Sequence, residues 1–223
     1  LKRLTIKYIL LMALIFFVKS GFSALSAPVL QCIALDEAGN VTLTWSQPQD
    51  PNSEFSQYII YYQDGEVGSF NSIEQINSYD TLTTTILGNF SGIGSFYIVV
   101  TSNGGIEVSP SSNVVSPLLI SLSNSNRQII VKFGEFNLPS TDSIFQIYRR
   151  IDLGPFVWIG QTKRPNQQFV DTLKECKANV QYYVEIEGIG GCESRSNFPV
   201  EAILDKTPPL QTNLICASVD TSS

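Results

Sequence analysis

The stretch Val41-Thr42-Leu43-Thr44-Trp45 alternates apolar and polar residues without a break. In a β-strand successive side chains point to opposite faces, so Val41, Leu43 and Trp45 share one face and the two threonines the other. A strand with one dry face belongs in an antiparallel sheet whose dry side packs on a second sheet. About ninety residues later, Ile129-Ile130-Val131-Lys132-Phe133 repeats the pattern, with Phe133 where Trp45 stands and Lys132 where Thr44 stands. Recurrence at that spacing implies a duplicated unit, which decides for two domains where 223 residues alone would suit one or two.

In the first unit, 27–116, the expected strands are Val29 to Leu35, Val41 to Trp45, Tyr58 to Tyr62, Gly68 to Ile73, Thr81 to Leu87 and Ser95 to Val100, with a last one after the Asn103-Gly104-Gly105 turn. Turn residues separate them: Gly39-Asn40, then Pro48 to Asn52, then Asp64-Gly65. About seven short strands so punctuated are the pattern of an immunoglobulin-like sandwich. In the second unit, 117–208, Ser196-Asn197 aligns with Ser112-Asn113, the Gly190-Gly191 turn with Gly104-Gly105, and Tyr182, Val184 and Ile186 with Phe96, Ile98 and Val100. Tyr183, Glu185 and Glu187 then form its outward set. Leu118 to Leu122, Ile144 to Ile151, Phe156 to Gly160 and Phe169 to Asp171 supply further strands. Trp45, Phe133, Phe96 and Tyr182 are the expected core anchors. In 209–223, Leu214 to Asp220 mirrors Leu30 to Asp36, as the first strand of a truncated third unit would.

Trp45, the Tyr58-Ile59-Ile60-Tyr61-Tyr62 strand, and Phe96-Tyr97-Ile98-Val99-Val100 leading through Asn103-Gly104-Gly105 to Ser109-Pro110-Ser111-Ser112-Asn113 resemble a fibronectin type III domain. The second unit resembles it less, since Phe133 replaces the tryptophan. The Thr207-Pro208-Pro209 start, the Cys-x-x-x-Asp strands at Cys32 and Cys216, and Phe169-Val170-Asp171-Thr172 before Cys176 look like the repeat region of surface or secreted proteins of Bacteroidetes. Those proteins are labelled gliding-motility-associated and carry a type IX sorting domain, which this chain does not show. The resemblance implies an all-β tandem of fibronectin type III-like sandwiches acting as adhesive or spacer modules, not as catalysts.

The first 23 residues read as a signal peptide. Lys2, Arg3 and Lys7 form a basic end, Tyr8 to Val18 an apolar run, and Gly21 and Ser23 supply small residues before a cut after Ser23, with Ala27 the alternative. Eleven apolar residues are too few to cross a bilayer core of about 30 Å. A lipoprotein site is disfavoured because Gln31 precedes Cys32. The expected location is therefore secreted or cell surface, with no transmembrane span in the mature chain.

A net charge of −6 and a pI near 4.7 argue against a nucleic-acid partner. The pairs Arg149-Arg150 and Lys163-Arg164 are expected to keep a strand face and a loop soluble. The absence of histidine removes the imidazole-based triad and most zinc sites, and neither CxxC spacing nor a phosphate-binding glycine loop occurs. No catalytic residue, cofactor site or metal site is assigned; Asp36, Asp50 and Asp64 lack the spacing of a calcium loop. Of four cysteines, Cys176 and Cys192 bracket one strand, which predicts a disulfide between them, a buried thiol pair being the alternative. Cys32 is expected to be unpaired. Asn40-Val41-Thr42 and Asn89-Phe90-Ser91 match the N-glycosylation triplet.

The functional expectation is a non-catalytic adhesive or spacer segment of a larger exported protein, whose partner is a protein or polysaccharide at the cell surface. The alternative is accessory spacer or carbohydrate-binding modules of a secreted polysaccharide-degrading enzyme. Tyr61, Tyr183 and Trp158 are the candidate sugar-stacking rings, against a role in cross-strand packing.

Overall fold

The computed structural model describes residues 25–125, 128–138, 144–174 and 177–204. The expected signal peptide, Cys176 and the expected third-unit strand with Cys216 lie outside the described residues. The chain is all-β and immunoglobulin-like; among the described residues its one helical stretch is a 3-10 turn at Asn103–Gly105.

The first unit comprises β1 (Leu30–Leu35), β2 (Val41–Trp45), β3 (Phe55–Asp64), β4 (Asn71–Ile76), β5 (Thr83–Ile86), β6 (Gly94–Ser102) and β7 (Glu107–Val108). They form two antiparallel sheets, β1-β2-β5 and β4-β3-β6-β7. Val41, Leu43 and Trp45 are buried in one cluster with Leu30, Tyr58, Ile60, Phe96 and Ile98. On the other face of β2, Thr42 and Thr44 pair their hydroxyls with Thr85 and Thr83 of β5, at 2.9 and 3.3 Å. The fourth strand begins at Asn71 rather than Gly68, because the chain is still turning through Gly65 and Gly68, both at positive φ.

The second unit comprises β8 (Ile120–Ser125), β9 (Gln128–Phe133), β10 (Ile144–Ile151), β11 (Val157–Lys163), β12 (Gln168–Thr172), β13 (Lys177–Glu187), β14 (Glu193–Arg195) and β15 (Val200–Leu204). One sheet is β12-β9-β8; in the other, β11-β10-β13, the strand β13 also carries β14 and β15. Its own buried cluster holds Phe133, Phe145, Ile147, Tyr182, Val184 and Ile186.

The Ser-Asn pairs close each sandwich. Ser112 N donates to Ile98 O at 2.8 Å, and its Oγ accepts from Ile98 N at 2.9 Å. Asn113 then reaches the other sheet, accepting from Leu30 N at 2.9 Å and donating to Leu30 O at 3.1 Å. Ser196 does the same with Val184, and Asn197 with Ile120 at 2.7 and 3.1 Å. A serine and an asparagine in this order satisfy backbone groups of two strands in different sheets.

Candidate functional site: the closed junction between the units

β1 has a bulge at Gln31, where the register with β2 slips between Leu30 and Cys32. The extra residue lets Leu30, Ile33 and Leu35 all face inward and turns Cys32 outward beside Thr44. Cys32 is nonetheless buried, and the edge of β1 is paired. β14 of the second unit runs parallel to β1, with Ala34 opposite Arg195, and Ile33 N donates to the buried Ser194 Oγ at 3.2 Å. One sheet therefore continues from β11 through β14 and β1 to β5.

At the head of this seam Cys32 is disulfide-bonded to Cys192, with Cα atoms 6.1 Å apart. The expected Cys176 to Cys192 bond is thus corrected: Cys192 is bonded to Cys32, which is not unpaired. The physical reason is the parallel approach of β1 to β14, which brings an outward cysteine of one unit over the β13-β14 turn of the other. Gly188 permits the approach, since a Cβ there would overlap Cys32 Sγ and the Gln31 carbonyl oxygen. The second unit has Ser121 at the place of Cys32, opposite Lys132, and the first has Ile106 after its glycine pair where Cys192 stands. Neither unit could make the bond alone.

The seam is closed further along by Glu37, which accepts two hydrogen bonds from Arg150, Nη1 to Oε1 at 3.1 Å and Nη2 to Oε2 at 2.6 Å. The same guanidinium lies over the Phe156 ring at 4.7 Å. The linker is tied as well: Ser116 N donates to Asn137 O at 2.9 Å and Asn137 Nδ2 to Val114 O at 2.7 Å. Leu138 packs against both cores.

The neighbouring Arg149 points the other way, so the expectation that this arginine pair merely solubilises a strand face is also corrected. Arg149 Nη1 and Tyr182 Oη both donate to Asp171 Oδ2 at 2.7 Å inside the second sandwich. Burial, reinforced by the Asp171 carboxylate, pushes the Tyr182 phenol well above its ordinary value. In the expected outward set of β13, Glu185 is 7% exposed because Arg195 Nε and Nη2 cover it, both donating to Oε1.

The candidate sugar-stacking rings are not a set. Tyr61 stacks on Tyr97 across β3 and β6 at 4.8 Å, and Tyr183 on Tyr148 across β13 and β10 at 4.7 Å. Trp158 is exposed and donates to Gln146 Oε1 at 2.7 Å. Trp45, Phe133, Phe96 and Tyr182 are buried in the two cores. Asn40 of the first glycosylation triplet is engaged at both side-chain atoms, by Asp36 Oδ2 and Gly88 N. Asp36 itself is spent on the Gly39-Asn40 turn: slight burial opposes its charge, but hydrogen bonds from Asn40, Ala38 and Gly39 win and lower its pKa. Among the described residues no group of three potential ligands could hold a metal ion, and no helix is long and apolar enough to cross a membrane.

No family model matches the chain, and no curated protein matches it. Among solved structures, the chain is similar to the chicken CNTN1 FN1-FN3 domains at 16% identity and TM-score 0.35, over 82% of this chain and 67% of that one. It is similar to a myokine structure at 20% identity and TM-score 0.33, over 41% of this chain and 93% of that one.

Proposed function

We propose that the chain is a pair of fibronectin type III-like modules serving as a non-catalytic adhesive or spacer segment of a larger exported surface protein. The observation that carries this reading is the junction. A disulfide, a shared strand pairing and a bidentate ion pair fasten two sandwiches joined in the chain by the short Ser116-Pro117 linker. A spacer gains from such fastening because it transmits position and load. A disulfide that holds two modules together suits an oxidising compartment, which supports export.

Small-angle scattering of the oxidised two-unit protein should fit one rigid arrangement and become that of a broader ensemble on adding reductant. A flexible ensemble already present in the oxidised protein would overturn the spacer reading. So would turnover of a polysaccharide, peptide or ester that one point mutation abolishes. The second reading, carbohydrate-binding modules accessory to a polysaccharide-degrading enzyme, rests on the exposed indole of Trp158. It needs further rings beside Trp158, and Tyr61 and Tyr183 spend their faces on neighbouring tyrosines.

A further inference from the structure

The two units fill the same place in the sandwich differently. Trp45 N donates to Leu82 O, and Phe133 N to Gln167 O, both at 3.0 Å, so Leu82 and Gln167 are equivalent. The turns before them match too, Thr81 N to Ser78 O against Asn166 N to Lys163 O. Counting back three residues sets Tyr79 of the first unit against Arg164 of the second. The strand registers likewise set Tyr58 against Phe145, since Ile60 faces Ile98 and Ile147 faces Val184.

In the first unit aromatic rings stand at all three positions. Trp45 meets Tyr58 edge-on at 5.3 Å, and Tyr58 Oη donates to Tyr79 O at 2.9 Å. The Tyr79 ring lies on Phe55 at 5.2 Å while its hydroxyl donates to Pro48 O at 2.6 Å. In the second unit the indole is replaced by a phenyl, one phenol loses its hydroxyl, and the third ring becomes an arginine. A cavity of about 310 Å³ opens there, lined by Phe133, Phe136, Phe145, Arg164 and the neighbouring turn residues. Phe133 and Phe145 stack at 4.7 Å, Phe136 stands edge-on to Phe145 at 5.7 Å, and the Arg164 guanidinium covers the Phe136 face at 4.3 Å.

We propose that this cavity binds one aromatic ring carrying a single carboxylate, either a free aromatic acid or the C-terminal aromatic residue of a peptide. A benzene-sized cavity is roughly 150 Å³, so the space holds a ring and a short substituent, at the small end of ligand sites. The wall is aromatic, which favours a flat apolar body. Arg164 makes no ion pair among the described residues, and lying on a ring face leaves its N–H edges free for a carboxylate. Glu135 on the same wall disfavours a second negative charge on the ligand. The site is independent of the spacer reading, which stands or falls on the junction.

The test is an amide-resolved NMR titration of the oxidised protein with phenylacetate, benzyl alcohol as its neutral counterpart, and acetyl-Gly-Phe with a free C-terminus. Saturable shifts are expected at Gly134, Asn166 and Gln167, with a millimolar Kd for phenylacetate. Arg164→Gln should weaken phenylacetate about tenfold and leave benzyl alcohol unchanged. Phe133→Trp, which restores the bulk the first unit carries at Trp45, should abolish both. Tighter binding of the peptide than of phenylacetate assigns a peptide end, and the reverse a free acid. Absence of saturable shifts at these amides with all three probes, undiminished binding to Phe133→Trp, or equal loss of the acid and the alcohol in Arg164→Gln overturns the proposal.

Discussion

Removing the bond between the units should destabilise both of them at once. Cys32 and Cys192 are separated by 160 residues, and nearly all of both cores lies inside that loop. The chain-entropy relation for a loop of this length gives about 5 kcal/mol of stabilisation, all of it from restricting the unfolded chain. The double variant Cys32→Ala/Cys192→Ala should therefore lose about 5 kcal/mol in guanidinium unfolding followed by tryptophan fluorescence, Trp45 reporting the first unit and Trp158 the second. The same loss should appear when the native protein is reduced. Non-reducing peptide mapping identifies the bond beforehand. In a pulling experiment through the termini the intact bond should hide the loop, about 55 nm of chain at full extension, until reductant is added. A stability change below about 1 kcal/mol in protein proven to hold the Cys32–Cys192 bond would refute the entropic account. A map placing Cys192 with Cys176 would refute the junction itself.

Trp45→Ala should cost about 3 to 5 kcal/mol in the same unfolding assay, since the indole is fully buried against Tyr58; a cost under about 1 kcal/mol would mean that the ring does not hold the core. Asp171→Asn should cost about 3 kcal/mol, because it leaves the largely buried Arg149 guanidinium without its carboxylate; a neutral result by urea titration would show that water satisfies that cation instead. Alkali should unfold the protein over a defined window. Burial raises the phenols of Tyr58, Tyr62 and Tyr183 to about 12, so the stability they contribute is complete below the unfolded value near 10 and is lost as pH rises toward 12. Reversible titration of Tyr58, Tyr62 and Tyr183 near pH 10 with the fold intact, read by ultraviolet absorbance, would contradict this.

What could be read in the sequence was whatever strand parity and local turns dictate. Val41, Leu43 and Trp45 sit inward because alternation leaves them no other choice, and Ser112-Asn113 aligns with Ser196-Asn197 because both pairs do the same backbone work. Parity also carried an unused signal: Arg149 shares the face of Phe145 and Ile147, and Asp171 that of Phe169, so an inward ion pair was legible. The disulfide was not. The bulge at Gln31 breaks the parity of β1, and the partner of Cys32 belongs to another unit, so neither periodicity nor spacing within one repeat could find it. The differences between the units, rather than their shared frame, are what can be specific to this chain. Phe133, Phe145 and Arg164 empty a space that Trp45, Tyr58 and Tyr79 fill, and Cys32 and Cys192 each lack a counterpart in the other unit. Both units keep the residues that serve the backbone, because each has the same ladders to close. Side chains that fill space or reach a neighbouring unit face no such common demand, so each copy is free to differ at them.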